Sequence, residues 1–190
     1  FNTHVKVGKP QVVYKETVTS QATAEGRFER EIGSVKHVAK VNIRLEPLPR
    51  GEGVILASEL PDELQIPEEL LALLKQSLIE TTNTGGLNGY QLTDVKITLL
   101  NVKYDQNNPS EIALKAAANI AMNHAVSEAG TTILEPIMSV EVVTPEEYVG
   151  DVIGDMNARK GKIEKIITKG KTTIVDALVP LSRMFGYSTD

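Results

Sequence analysis

The chain has no cysteine, no apolar run near the roughly 20 residues that a membrane-spanning helix requires, and no Gly-x-x-x-x-Gly-Lys-Ser/Thr loop. Without thiols there can be neither a disulfide framework nor a thiolate metal site, and secretion gains no support. The first residues show no signal-peptide pattern. The expectation is a soluble, cytoplasmic protein, with an organellar matrix left open. Without the phosphate-cradling loop, this chain is not expected to bind GTP in the P-loop manner. Neither a Gly-x-Ser-x-Gly elbow nor a His-Glu-x-x-His pair is present. The three histidines, His4, His37 and His124, are too far apart for a metal-ligand spacing, and His124 lies in a helical stretch where a structural or solvated role suffices. No catalytic residue and no metal ligand is therefore assigned.

What is there is an ordinary globular composition with an uneven charge. Hydrophobic residues make up 41% of the 190, enough for one large or two small packed units. Residues 1–150 carry 13 Lys and Arg against 20 Asp and Glu, a net −7, whereas residues 151–190 carry 7 against 5, a net +2. The local excess sits in Arg159, Lys160, Lys162, Lys165, Lys169 and Lys171. Two readings fit it: phosphate contacts, or a solvated hairpin with lysines on its outer face.

Periodicity divides the chain into alternating elements. Pro10–Thr19 and Val38–Leu45 alternate as half-buried strands, the second ended by the Pro47-x-Pro49-Arg-Gly51-Glu-Gly53 turn cluster, and Val54–Ala57 reads as a short strand. A helix is predicted from Glu68 to about Thr82, with Leu70, Leu71, Leu74, Leu78 and Ile79 on one face and Glu68 and Glu69 at its positive end. It should end at Asn83-Thr84-Gly85-Gly86, where a glycine can take the left-handed cap. Asp94–Val102 alternates as a strand, and Tyr104–Pro109 is a polar loop. Ser110 can then cap an alanine-rich helix to Glu128, stopped by Gly130. Beyond a junction at Leu134-Glu135-Pro136, a strand over Ile137–Val143, a helix from Thr144 or Pro145 to about Ala158, and strands over Lys162–Thr168 and Lys171–Val179 are expected, with Lys169-Gly170 as the hairpin turn. Glu146 and Glu147, like Glu68 and Glu69, sit where a helix dipole accounts for them.

The order of residues is more particular than periodicity demands. The Leu134-Glu135-Pro136 turn, the Val140-Glu-Val-Val strand, the Thr144-Pro-Glu-Glu helix start and the Gly150-Asp-Val-Ile-Gly154-Asp155-x-Asn157-x-Arg159-x-Gly161 run resemble the opening of the fifth domain of elongation factor G. Lys9-Pro10-Gln-Val-Val-Tyr14-Lys-Glu16-Thr17, Gly86-Leu-Asn-Gly89-Tyr90, Asp94-Val-Lys and Ser110-Glu111 resemble elements of that family's fourth domain. The resemblance implies an α+β fold. Residues 1–133 would form the βαβ-containing unit that the family shares with part of a small-subunit ribosomal protein. Residues 134–190 would form the first part of a ferredoxin-like βαββαβ unit, ending before its last helix and strand. It also implies a monomeric C-terminal part of a translational GTPase that moves tRNA and mRNA or recycles ribosomes. GTP and magnesium would belong to an N-terminal part outside this chain, and no membrane partner is expected.

By the same resemblance, two loops would form a tip reaching the small-subunit decoding site: Gly33, Ser34, Val35, Lys36 and His37, and Tyr104, Asp105, Gln106, Asn107 and Asn108. Asp155, Asn157, Arg159 and Lys160 would contact large-subunit RNA near the stalk base. The tip departs from the family, which carries a Gly-Gly-Arg-Gly-Gln-Tyr-Gly-His sequence in the first loop and a histidine where Asp105 stands. An aspartate is repelled by phosphate, so that contact should weaken unless Lys36, His37 or Lys40 compensates. This departure makes a recycling-type paralogue plausible. A tetracycline-type ribosomal protection protein is a second reading, set back by the Gly150–Arg159 run. A stand-alone RNA-binding module is a third.

Overall fold

The computed structural model describes residues 4–5 and 14–184. The chain forms two compact units, Lys15–Leu134, and Glu135–Asp190 together with Phe1–Tyr14. Strand β1 (His4–Val5) pairs antiparallel with the second unit's first strand, so these two residues depart from the expected 1–133 partition. The rest of the strand expected from Pro10 lies outside the described residues up to Val13.

In the first unit, β2 (Lys15–Val18) is followed by a long hairpin of β3 (Ala22–Ile32) and β4 (Val35–Pro47). Then come β5 (Val54–Ser58), α1 (Glu68–Thr81), β6 (Gln91–Leu92), β7 (Val95–Tyr104), α2 (Glu111–Ala129) and β8 (Thr131–Leu134). One sheet has the order β3-β4-β7-β5, antiparallel except for the β5/β7 pair, which is parallel because α1 crosses between them. The other has the order β6-β2-β8. The expected βαβ element is thus β5-α1-β7.

Strand β3 is absent from the periodicity reading, and its packing shows why. Its buried positions are Ala22, Ala24 and Gly26, small residues with weak strand propensity. They face the buried alanines Ala113, Ala117, Ala118, Ala121 and Ala125 of α2 within one core. At Gly26 a Cβ would overlap the carbonyl oxygen of Ala117 and the amide nitrogen of Ala121, so only glycine lets strand and helix come this close. Ser110 caps α2, its Oγ accepting the Ala113 N–H at 3.1 Å.

Helix α1 buries Leu70, Leu74, Ser77 and Leu78, but Ile79 is 48% exposed and falls off the expected face. Its end also differs from expectation. Thr82 closes it through its amide to Ile79, and neither Gly85 nor Gly86 has positive φ. Gly86 is needed for another reason: a Cβ there would overlap the carboxylate of Glu16.

In the second unit, β9 (Ile137–Pro145), a 3-10 turn at Glu146–Tyr148, α3 (Val149–Ala158), β10 (Lys162–Lys169) and β11 (Thr172–Pro180) give the strand–helix–strand–strand order expected of a ferredoxin-like start. The sheet order is β1-β9-β11-β10, all antiparallel. Val152 and Met156 of α3 pack on Val140, Val142, Val175, Ala177 and Val179. The hairpin turns at Gly170-Lys171, one residue later than expected, because Gly170 supplies the positive φ of 61° between Lys169 and Thr172. Leu181–Arg183 is a 3-10 turn, and the remainder of the helix expected there lies outside the described residues.

Candidate nucleic-acid interface

The hairpin β3–β4 turns at Gly33-Ser34, between the paired Ile32 and Val35, with Gly33 at φ 67°. The ladder between β4 and β7 ends at Ala39 and Tyr104, which brings the start of the 104–109 loop to the same end of the sheet. The segment Gly33, Ser34, Val35, Lys36 and His37 and the segment Tyr104, Asp105, Gln106, Asn107 and Asn108 thus leave the same end of the sheet, with Lys36, Tyr104 and Asp105 lining one groove. The turn also carries apolar surface, with Ile32 and Val35 exposed.

Below the turn, the outer sheet face carries a shallow groove of about 560 Å³ lined by Arg27, Lys36, Val38, Ala39, Lys40, Lys103, Tyr104 and Asp105. Arg27 faces Lys40 across one ladder, and Lys40 faces Lys103 across the next. Like charges in register repel, so carboxylates on β3 must hold them. Lys40 reaches Glu25 at 2.8 Å, Lys36 reaches Glu29 at 2.8 Å and Arg27 reaches Glu29 at 3.3 Å. The Lys36 hydrogen bond and charge hold the Glu29 carboxyl below the usual range and raise Lys36 itself. Lys40 does the same to Glu25, chiefly through its hydrogen bond. These exposed pairs are exchangeable contacts, individually weak in water.

Asp105 is more than a misplaced charge. Its Oδ1 accepts the backbone N–H of Asn107 at 3.0 Å and of Asn108 at 3.3 Å, closing an Asx turn that shapes the loop. His37 Nδ1 lies 2.6 Å from Ser110 Oγ, a contact that sequence spacing could not reveal.

At the other candidate surface, Asp155, Asn157, Arg159 and Lys160 lie at the C-terminal end of α3. Arg159 is largely enclosed, its side chain 13% exposed; its Nε donates to Asp155 Oδ2 at 3.1 Å and a terminal nitrogen donates to the carbonyl of Arg183 at 2.7 Å. Asn157 and Lys160 are exposed. Lys160 has φ 57° in a Schellman-type end, with Gly161 N–H bonding Met156 O and Lys160 N–H bonding Asn157 O. Gly150 and Gly154 lie within the helix with open space where a Cβ would stand. The Leu-Glu-Pro turn has a local task as well: Glu135 accepts the Ser182 N–H, and Leu181 N–H bonds Pro136 O.

One polar site lay outside the sequence reading. Glu16, with no exposed surface, accepts from Asn88 N–H, the Asn88 side-chain amide, Tyr90 N–H and Thr131 Oγ. Burial raises its pKa, but those hydrogen bonds together prevail and hold it below the usual glutamate value. Its partners make it the clasp of the Gly86–Tyr90 loop. Among the described residues no group of three or more His, Asp or Glu is arranged to hold a metal, and no helix is long and apolar enough to cross a membrane. The residues present do not fit GTP with magnesium, because no glycine-rich loop is followed by the lysine and hydroxyl that would hold them.

Comparison with known proteins agrees with this architecture. Residues 10–130 match the family described as elongation factor G, domain IV, and residues 132–190 match the elongation factor G C-terminus. A protein named elongation factor G 2 from Desulfotalea psychrophila is 43% identical over 189 residues, covering 100% of this chain and 27% of that protein. Its namesake from Syntrophus aciditrophicus is 43% identical over 190 residues, covering 100% of this chain and 28% of that protein. A crystal structure of a Thermus thermophilus protein superimposes with a TM-score of 0.84 at 29% identity, over 95% of this chain and 27% of that one. The chain therefore spans little more than a quarter of the relatives it matches, and it belongs to the elongation factor G family, matching the part that follows the GTPase domain.

Proposed function

We propose that this chain is the ribosome-binding C-terminal part of a translational GTPase that acts in GTP-dependent translocation of tRNA and mRNA or in ribosome recycling. Residues 15–134 form the unit that reaches the decoding site, and residues 135–190 the unit that lies on large-subunit RNA at the stalk base. The GTPase chemistry, with its nucleotide and magnesium, belongs to the rest of the longer protein. This chain contributes position and electrostatics and no bond-making step.

The observation that carries the reading is the placement of the 33–37 turn and the 104–109 loop at the same end of one sheet. Arg27, Lys36, Lys40 and Lys103 line a groove directly behind it. A polyanion can displace the exposed Glu25 and Glu29 pairs and take their place. The Asp105 carboxylate is spent on its own loop, so RNA contact at the tip falls to Lys36, His37 and the apolar turn residues. At the second surface, Asn157 and Lys160 make the RNA contacts, and Arg159 and Asp155 hold the helix end that presents them.

Cosedimentation of the chain with ribosomes and with each isolated subunit tests the assignment. Binding that weakens steeply with salt, and more so for a Lys36→Glu/Lys40→Glu variant, is expected. Binding indifferent to salt and to that variant would contradict it. Translocation and subunit-splitting assays of the full-length protein decide between the two activities. The altered tip favours splitting, and robust translocation would exclude a factor devoted to recycling.

A further inference from the structure

The last backbone pair between β4 and β7 joins Ala39 to Tyr104, whereas β4 begins at Val35. Residues 35–38 therefore run on past β7, paired in the ladder only to β3. On the open side, a side-chain bond ties this overhang to the start of α2. His37 Nδ1 lies 2.6 Å from the Oγ of Ser110, 73 residues away in sequence. Ser110 is also the cap of α2, its Oγ accepting the Ala113 N–H at 3.1 Å. A hydroxyl has one proton to give. With the Ala113 N–H on one lone pair of Oγ, the contact to Nδ1 is made either by the hydroxyl proton or by an Nδ1 proton on the second lone pair, and it joins the same two atoms in both cases.

We propose that His37 is a positioning residue of the tip. Through Ser110 it locks the Gly33–Lys36 turn to the first turn of α2, so that the two loops are presented as one rigid surface instead of two independent ones. Asp105 sets the internal shape of the 105–108 loop through its own backbone contacts. Ser110, the last residue before α2, is where that loop is fixed relative to the hairpin. The lock stands on geometry alone, and its value for RNA contact rests on the reading given under Proposed function.

The test uses the 190-residue chain in four forms: unchanged, His37→Ala, Ser110→Ala and Ser110→Thr. Nitrogen-15 NMR of the His37 ring should find Nδ1 hydrogen-bonded in the unchanged chain. Ser110→Ala should remove that bond, and Ser110→Thr, which keeps the hydroxyl, should restore it. Amide exchange in the Gly33–Lys36 turn should quicken by about two- to twelve-fold in both alanine variants, the factor that corresponds to one net hydrogen bond of about 0.5–1.5 kcal/mol. The double alanine variant should exchange no faster than either single one. If Ser110→Ala frays only the start of α2 and leaves the turn's exchange and the His37 ring signals unchanged, Ser110 is a cap and nothing more, and the proposal fails. These readouts need no ribosome, so they stand apart from the proposed function. Ribosome binding then addresses that reading: the lock predicts equal weakening in the two alanine variants and recovery in Ser110→Thr.

Discussion

Changing Glu16 to glutamine removes a charge from a group with no exposed surface and four donors aimed at it. The amide can be fitted only with its oxygen toward Tyr90 N–H, which approaches Oε2 at 3.0 Å, and its nitrogen toward Thr131 Oγ and the Asn88 amide, both of which must reverse roles. Hydrogen bonds to a charged group are worth about 1.5–3 kcal/mol and neutral ones about 0.5–1.5. Part of the difference is returned because a neutral group is cheaper to bury. The net expected loss for Glu16→Gln is about 1–3 kcal/mol, or about 5–10 °C in the midpoint of the first unit. The pH dependence separates this account from simple repacking. Since the folded pKa is lowered, the Glu16 contribution is fully present above the ordinary glutamate value and is lost as pH falls through the lowered folded one. Urea unfolding from about pH 7 to about pH 3 should therefore show the two proteins converging toward the acid end. A stability gap of the same size at both ends would refute the charge argument and leave only a packing defect.

Gly26→Ala should be among the most destabilising single-methyl changes in the chain, since β3 or α2 must shift to relieve backbone overlap; a loss of about 2–4 kcal/mol in urea unfolding is expected. Arg159→Ala should destabilise the second unit by about 1–3 kcal/mol through the unpaired Asp155 and the uncapped Arg183 carbonyl, and thermal unfolding would read it. Lys160→Gly should instead stabilise that unit by about 0.5–1 kcal/mol while weakening RNA binding, because glycine accepts φ 57° freely but carries no charge. Gly154→Ala, in open helix surface, should add about 0.5–1 kcal/mol by the same assay.

The elements with strong periods were legible from sequence: the leucines of α1, the Ser110-capped alanine helix α2, the alternation of β4 and β7, and the strand–helix–strand–strand order from Ile137 onward. Strand β3 was not, because its inward residues are chosen for closeness to α2 and carry almost no strand signature. Strands β6 and β8 are short and pair with β2, the strand that carries Glu16, so they reflect tertiary contacts more than local preference. The two tip loops were found through family resemblance, and the strands place them at the same end of the sheet. What sequence could not show was how they are held. His37 and Ser110 are 73 residues apart, and Asp105 reads as a charge when its carboxylate is in fact the keystone of a turn. Arg159 likewise reads as a phosphate ligand, yet most of its surface is turned to Asp155 and Arg183.

Because the chain has no cysteine, single-cysteine variants can carry a photocrosslinker without background. Attached to Ser34→Cys or Asn107→Cys and irradiated on ribosomes, it should mark small-subunit decoding-site RNA. Attached to Asn157→Cys it should mark large-subunit RNA, and on the exposed face of α1, at Gln76→Cys, it should mark neither. Crosslinks that are equal at all four positions, or absent from the two tip positions while the chain remains ribosome-bound, would contradict the central claim that the two loops form the RNA-contacting tip.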